Sequence, residues 1–143
     1  MKPFFALITI VIFASIAVLH FYWALGGRRW VNAVVPHRGN SQQKPLFTPG
    51  PLATIAVGIG LVCFAWIMAL KVGFVKSSLL SDQAIHYGSM GIALIFLLRA
   101  IGEFKYVGFF KRIKQTEFGR MDTRCYSPLC LGISLIILVI NYY

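Results

Sequence analysis

Acidic residues are scarce in this chain of 143: four Asp and Glu stand against fourteen Lys and Arg, and charged residues make up only 13% of the whole. Soluble domains carry about 25% charged residues, so most of this sequence cannot form a solvated globular surface. The three cysteines are too few and too scattered for a disulfide framework. Cys125 and Cys130 have the spacing of neither a C-x-x-C redox pair nor half a zinc site, and Cys63 reads as a small buried hydrophobe. There is no HExxH, no serine elbow and no pair of carboxylates within an apolar run. Common hydrolytic and metal-dependent chemistries therefore lack their residues. Period-two alternation is missing as well, which excludes a membrane β-barrel.

What is present is apolar. Hydrophobic residues make up 58% of the chain and fall in four long blocks, at about 4–25, 51–70, 84–101 and 126–143. At ~1.5 Å per residue the first three reach ~27–33 Å, enough to cross a ~30 Å hydrocarbon core. The fold class is therefore all-α: one integral membrane domain, a bundle of four transmembrane helices. Pro51 fits the first turn of the second helix, where its missing N–H costs nothing. Ser127 and Pro128 read as the N-cap and first helical position of the fourth. Counted from Pro128 that block spans only ~24 Å, so it needs residues 125–127, local thinning or its terminal tyrosines to cross. The first block begins like a signal peptide, but its apolar run continues to Leu25, as an uncleaved helix would.

The charges are gathered on one face. Loop 26–49 carries Arg28, Arg29, Arg38 and Lys44, and loop 102–125 carries Lys105, Lys111, Arg112, Lys114, Arg120 and Arg124. The terminal face has only Lys2, Lys71 and Lys76. Positive loops stay cytoplasmic, which places both large loops inside and both termini outside, in a bacterial cytoplasmic (inner) membrane. Beside anionic headgroups this charge needs no nucleic acid to explain it. Trp30, Val31, Val34 and Val35 recur at helical spacing opposite Arg28, Arg29 and Asn32, the pattern of a short helix lying flat in the headgroup layer. In the second loop Phe104, Tyr106, Phe109, Phe110 and Phe118 alternate with cations, as in an interfacial belt.

Polar residues that enter the blocks mark where a function would sit. His20 lies on a stripe with Ala17, Ala24 and Gly27, and Arg99 on a stripe with Gly88, Gly91 and Gly102. Both stripes permit close helix approach. Ala56 with Gly60, and Ala65 with Ala69, offer further close-packing pairs, and the Gly58–Gly60 pair reads as helix packing, not a nucleotide loop. Blocks one and three cross in the same direction, so His20 and Arg99 both approach the cytoplasmic end. Glu103, four residues on, is the expected ion-pair partner of Arg99. The functional alternative is a polar pocket of His20, Arg99 and Glu103, with Tyr22, Trp23, His37, Arg38 and Asp122 entering from the loops. His86 sits at the opposite interface.

Four stretches carry a resemblance: YWALGG at 22–27, LFTPGPLATIAV at 46–57, LRAIGEFKYVGFFKR at 98–112 and DTRCYSPLCL at 122–131. Together they resemble a family of small bacterial membrane proteins described only as a domain of unknown function. The resemblance covers nearly the whole chain and implies four transmembrane helices. It implies aspartate in most relatives at the position of Glu103. It brings no activity, cofactor or catalytic residue.

Three functions fit these residues. In the first, the pocket holds an anionic lipid headgroup or small amphipathic ligand through Arg28, Arg29, Arg99 and Lys111, since arginine forks suit phosphate and carboxylate. In the second, the chain is an accessory or protective subunit packing its small-residue stripes against a copy of itself or another membrane protein. In the third, it is an enzyme acting on a lipidic substrate, with His20 as acid–base group and Glu103 or Asp122 as partner.

Overall fold

A computed structural model of the protein describes residues 1–37 and 45–142. Arg38 and Lys44, and with them part of the first basic loop, lie outside the described residues, as does Tyr143. The described chain is all-helical: α1 (Lys2–Ala24), a single turn α2 (Val31–Val34), α3 (Pro51–Lys71), α4 (Asp82–Ile101), α5 (Glu117–Met121), a π-helical turn (Asp122–Tyr126) and α6 (Ser127–Tyr142). The four helices Lys2–Ala24, Pro51–Lys71, Asp82–Ile101 and Glu117–Tyr142 are each long and apolar enough to cross a membrane.

Helix α1 packs mainly on α3 and α4 mainly on α6, and α3 with α4 and α1 with α6 close the square. Rings of Phe13, Phe64 and Phe96 meet at its centre, with centroids 5.3–6.4 Å apart. Around them lie Leu61, Met68, Ile92, Ile133 and Ile137, all buried. The outer faces are apolar as well: Leu7, Val11 and Val18 on α1, Val57 and Val62 on α3, Leu94, Ile95 and Leu98 on α4, and Leu135 and Val139 on α6 are exposed. An exterior of this kind suits lipid and not water. Cys63 also belongs to this exterior, contrary to its expected burial. Of the glycines on α3, Gly58 is the packing residue, because a Cβ there would lie 2.8 Å from the Phe21 ring. Ala56 is exposed and Gly60 faces open space, so that pair is not used inside the bundle.

The fourth helix corrects the sequence reading. It is not a short segment capped by Ser127 but a run of 26 residues from Glu117, ~39 Å at helical rise. Its true N-cap is Thr116, whose Oγ1 accepts from Gly119 N at 2.9 Å. Proline inside a helix clashes with the carbonyl four residues back, which is why Pro128 reads as a start. The chain passes it by widening the preceding turn: Ser127 N–H donates to Asp122 O, five residues back. A π-turn of this kind relieves the proline without ending the helix.

The first loop is corrected too. Among the described residues of this loop only the turn α2 is helical, and Trp30 before it has a left-handed φ of 62°. Ala33 and Val35 are buried, and α2 packs against α5. Tyr126 Oη donates to Ala33 O at 3.3 Å. Ala33 and Val35 are thus covered by protein, while the Trp30 ring stays exposed.

After α4 the chain turns sharply through Gly102 (φ 82°) and Gly108 (φ 89°). A Cβ on Gly102 would overlap the Val107 carbonyl, and one on Gly108 the Ile101 carbonyl. Strain plus overlap at Gly108→Ala is expected to cost at least about 2 kcal/mol, lowering the thermal midpoint in detergent by roughly 5 °C or more. Gly60→Ala and Gly91→Ala, facing open space, leave that midpoint unchanged or slightly raised.

Candidate functional site

Helix α4 ends two residues beyond Arg99, so this guanidinium is carried to the edge of the apolar span. Its partner is not Glu103. Arg99 Nη2 donates to Asp122 Oδ1 at 2.8 Å. A helical i,i+4 pair lies on the helix surface in water-like dielectric and gains only ~0.3–0.5 kcal/mol. Asp122 instead offers a carboxylate already withdrawn from solvent. Glu103 turns outward, and its Oε1 accepts from Tyr106 N at 2.8 Å.

Asp122 is fully buried. Its Oδ2 accepts from Lys111 Nζ at 2.9 Å, from Gly108 N at 2.9 Å and from Ser127 Oγ at 3.2 Å. Lys111 is equally buried, and its ammonium also donates to Gly108 O at 3.0 Å. A carboxylate holding two cations, an amide and a hydroxyl is acceptor-only and ionised. In a regular α-helix, residues five apart point ~140° away from each other. The widened turn brings Ser127 back under Asp122, so the π-turn that passes Pro128 also completes the carboxylate's shell.

The other candidates are placed as follows. His20 Nδ1 is 2.8 Å from Ile16 O, and its ring meets Trp23 edge-on with centroids 5.3 Å apart. Trp23 Nε1 donates to Arg29 O at 2.8 Å, closing the end of α1. Among the described residues His20 has no hydrogen bond to Glu103 or Asp122. Arg28 and Arg29 are exposed, and Tyr22 packs against Gly27. His37 pairs with Pro45 across the base of the first loop. Arg38 is outside the described residues. At the other end Lys71 Nζ lies 3.2 Å from His86 Nδ1, joining α3 to α4. No three His, Cys, Asp or Glu side chains converge among the described residues.

Of the residues expected to hold a ligand, then, the structure brings Arg99, Lys111 and Asp122 together as one ion cluster. Lys111 has no face left for a ligand. Arg99 retains 32% of its side-chain exposure. Two cations on one carboxylate leave the cluster with a formal charge of +1. The sequence placed Asp122 in the same pocket as Arg99 but not as its ion-pair partner, because the two are 23 residues apart, beyond any local pairing rule. The available signal was the scarcity of acid, which makes every buried cation compete for very few partners.

A second feature stands on the loop beyond Gly102. A cleft of about 430 Å³ is lined by Glu103, Phe104, Lys105, Arg112 and Ile113. Phe104 has a left-handed φ of 66°, and its ring lies 6.3 Å from that of Phe110, both rings more than half exposed.

These features define a helical bundle with an apolar exterior and one polar, basic end stapled by a buried carboxylate. The chain belongs to the family described as "Protein of unknown function (DUF3995)", whose model matches residues 13–137. No curated protein and no solved structure matches the chain.

Removing one partner of a buried ion pair costs about 3–5 kcal/mol. Asp122→Asn is therefore expected to destabilise the detergent-solubilised protein by that amount, whereas Glu103→Gln stays within about 0.5 kcal/mol of wild type. Thermal unfolding of the two variants checks this, and the opposite order would restore Glu103 as the partner of Arg99.

Proposed function

We propose that this is a multi-pass protein of a bacterial cytoplasmic membrane that binds phospholipid headgroups at its basic face. The observation that carries the reading is the sorting of the cations at that end of the bundle. Asp122 consumes Lys111 and one edge of Arg99. Arg28, Arg29, Lys105 and Arg112 remain exposed on the two loops that join the helices at that end. Exposed rings of Trp30, Phe104 and Phe110 stand beside them. Cations flanked by aromatic rings at the end of an apolar bundle fit the headgroup layer, where each Lys or Arg near an anionic surface contributes about 1 kcal/mol. The residual +1 of the Asp122 cluster, with the exposed third of Arg99, adds to the same field. The loops are cytoplasmic in this reading, by the excess of positive charge on them.

Native mass spectrometry of the full chain released from mild detergent is expected to retain phospholipid. Joint neutralisation of Arg28, Arg29, Lys105 and Arg112 to glutamine should reduce that retention about tenfold or more. Equal retention by the neutralised protein would refute lipid binding at this face. Orientation is checked separately: a reporter active only in the cytoplasm stays silent when fused after Tyr143, and activity there would invert the topology.

A further inference from the structure

The cleft beyond Gly102 holds charges of both signs, and they do not neutralise one another. Glu103, Lys105 and Arg112 all line it. Among the described residues the only ion pairs within 4.0 Å are those of Asp122, so Glu103 pairs with neither cation. Arg112 N donates to Phe104 O at 3.2 Å and Ile113 N to Lys105 O at 3.0 Å, which fixes the two sides of the loop. The amide of Tyr106 occupies Glu103 Oε1 at 2.8 Å, leaving Oε2 unengaged. The Lys105 ammonium rests 5.2 Å from the Tyr106 ring centroid. The loop is anchored from below by Phe109 N on Ala100 O, at 2.9 Å, and Gly108 N on Asp122. At the rim Phe104 keeps a backbone conformation that side-chain-bearing residues rarely adopt. Such strain persists where the surroundings enforce it, often at binding sites, and here it sets the Phe104 ring beside Phe110.

A cleft lined by one partly engaged carboxylate and two cations is a poor host for a purely anionic group, which Glu103 would repel. It is a complementary host for a group carrying an ammonium and a phosphate a few bonds apart. Building on the reading that this face binds phospholipid, we propose that the cleft is a site for a zwitterionic aminophospholipid headgroup of the phosphoethanolamine class. The primary ammonium donates to Glu103, and the phosphate lies between Lys105 and Arg112, whose guanidinium fork suits its oxygens. The Phe104–Phe110 pair supports the glycerol and first acyl carbons as they enter the bilayer. A quaternary ammonium of the choline class has no N–H to donate, and a glycerol headgroup has no cation, so both satisfy only half of the site.

The test is native mass spectrometry of the full-length protein incubated with equal amounts of phosphatidylethanolamine, phosphatidylglycerol and phosphatidylcholine of matched chains. One charge-assisted hydrogen bond gives a preference of about tenfold for phosphatidylethanolamine. Glu103→Gln keeps an acceptor for Tyr106 N, so the loop stays folded; it should bring retention of phosphatidylethanolamine and phosphatidylcholine to parity and, with the repelling carboxylate gone, raise that of phosphatidylglycerol. Lys105→Gln with Arg112→Gln should lower retention of all three. Water-soluble glycerophosphoethanolamine should not displace the lipid at equal concentration, and binding as tight as that of the whole lipid would overturn a membrane lipid as the occupant. Retention without preference, or a preference for phosphatidylethanolamine over phosphatidylcholine that survives Glu103→Gln, overturns this inference while leaving lipid binding standing. No retention of any phospholipid overturns both.

Discussion

A single carboxylate holds the polar end of this bundle together. Asp122 takes donors from α4 through Arg99, from the following loop through Gly108 and Lys111, and from its own helix through Ser127. Taking two cations and an anion out of water is costly, and the hydrogen bonds gathered on the carboxylate offset it, with Arg99 Nη1 alone in the cluster buried without a partner among the described residues. That requirement explains neighbouring features that look unrelated in isolation. Gly108 must be glycine because its amide has to approach Asp122 while its backbone presses on Ile101. The turn before Pro128 must be wide because Ser127 has to reach Oδ2. The loop between Gly102 and Thr116 is ordered by the same anchor, and through Tyr126 and α5 the first loop is tied to it as well.

Anchoring has a chemical consequence. In a chain with fourteen basic residues and four acidic ones, the acids decide which cations are structural and which face outward. Asp122 draws Lys111 and part of Arg99 inward. Among the described residues Glu103 pairs with no cation, and it sits instead in a cleft lined also by Lys105 and Arg112. These two acids, one buried and saturated, one exposed and half-engaged, separate a structural staple from the surface proposed to bind lipid. Apolar exteriors on all four long helices are consistent with that proposal.

Much of this was legible in the sequence. Long apolar runs admit few structures besides helices, because a buried backbone must satisfy its own hydrogen bonds. The first three helices accordingly fall within two residues of their expected bounds at either end, with Pro51 in the first turn of α3. The fourth did not, because Pro128 is a strong local stop signal and only its surroundings show how the helix passes it. Arg99 was legible as a charge needing a partner. Its partner was not, since local spacing points to Glu103 and the true acceptor lies across the α4–α6 contact. Trp30–Val35 showed helical spacing, yet whether its apolar side met lipid or protein depended on where α5 packed.

The sequence alone determined the number of spanning helices, their approximate bounds and the gathering of positive charge at one end. These follow from composition and period, which act within a segment. Tertiary structure alone decided which acid each cation meets, how the fourth helix passes its proline and which residues frame the cleft. Each of those is a contact between segments far apart in the chain. In a low-dielectric bundle such contacts are chosen by how completely the buried charge is surrounded, and not by how near its partner lies in sequence.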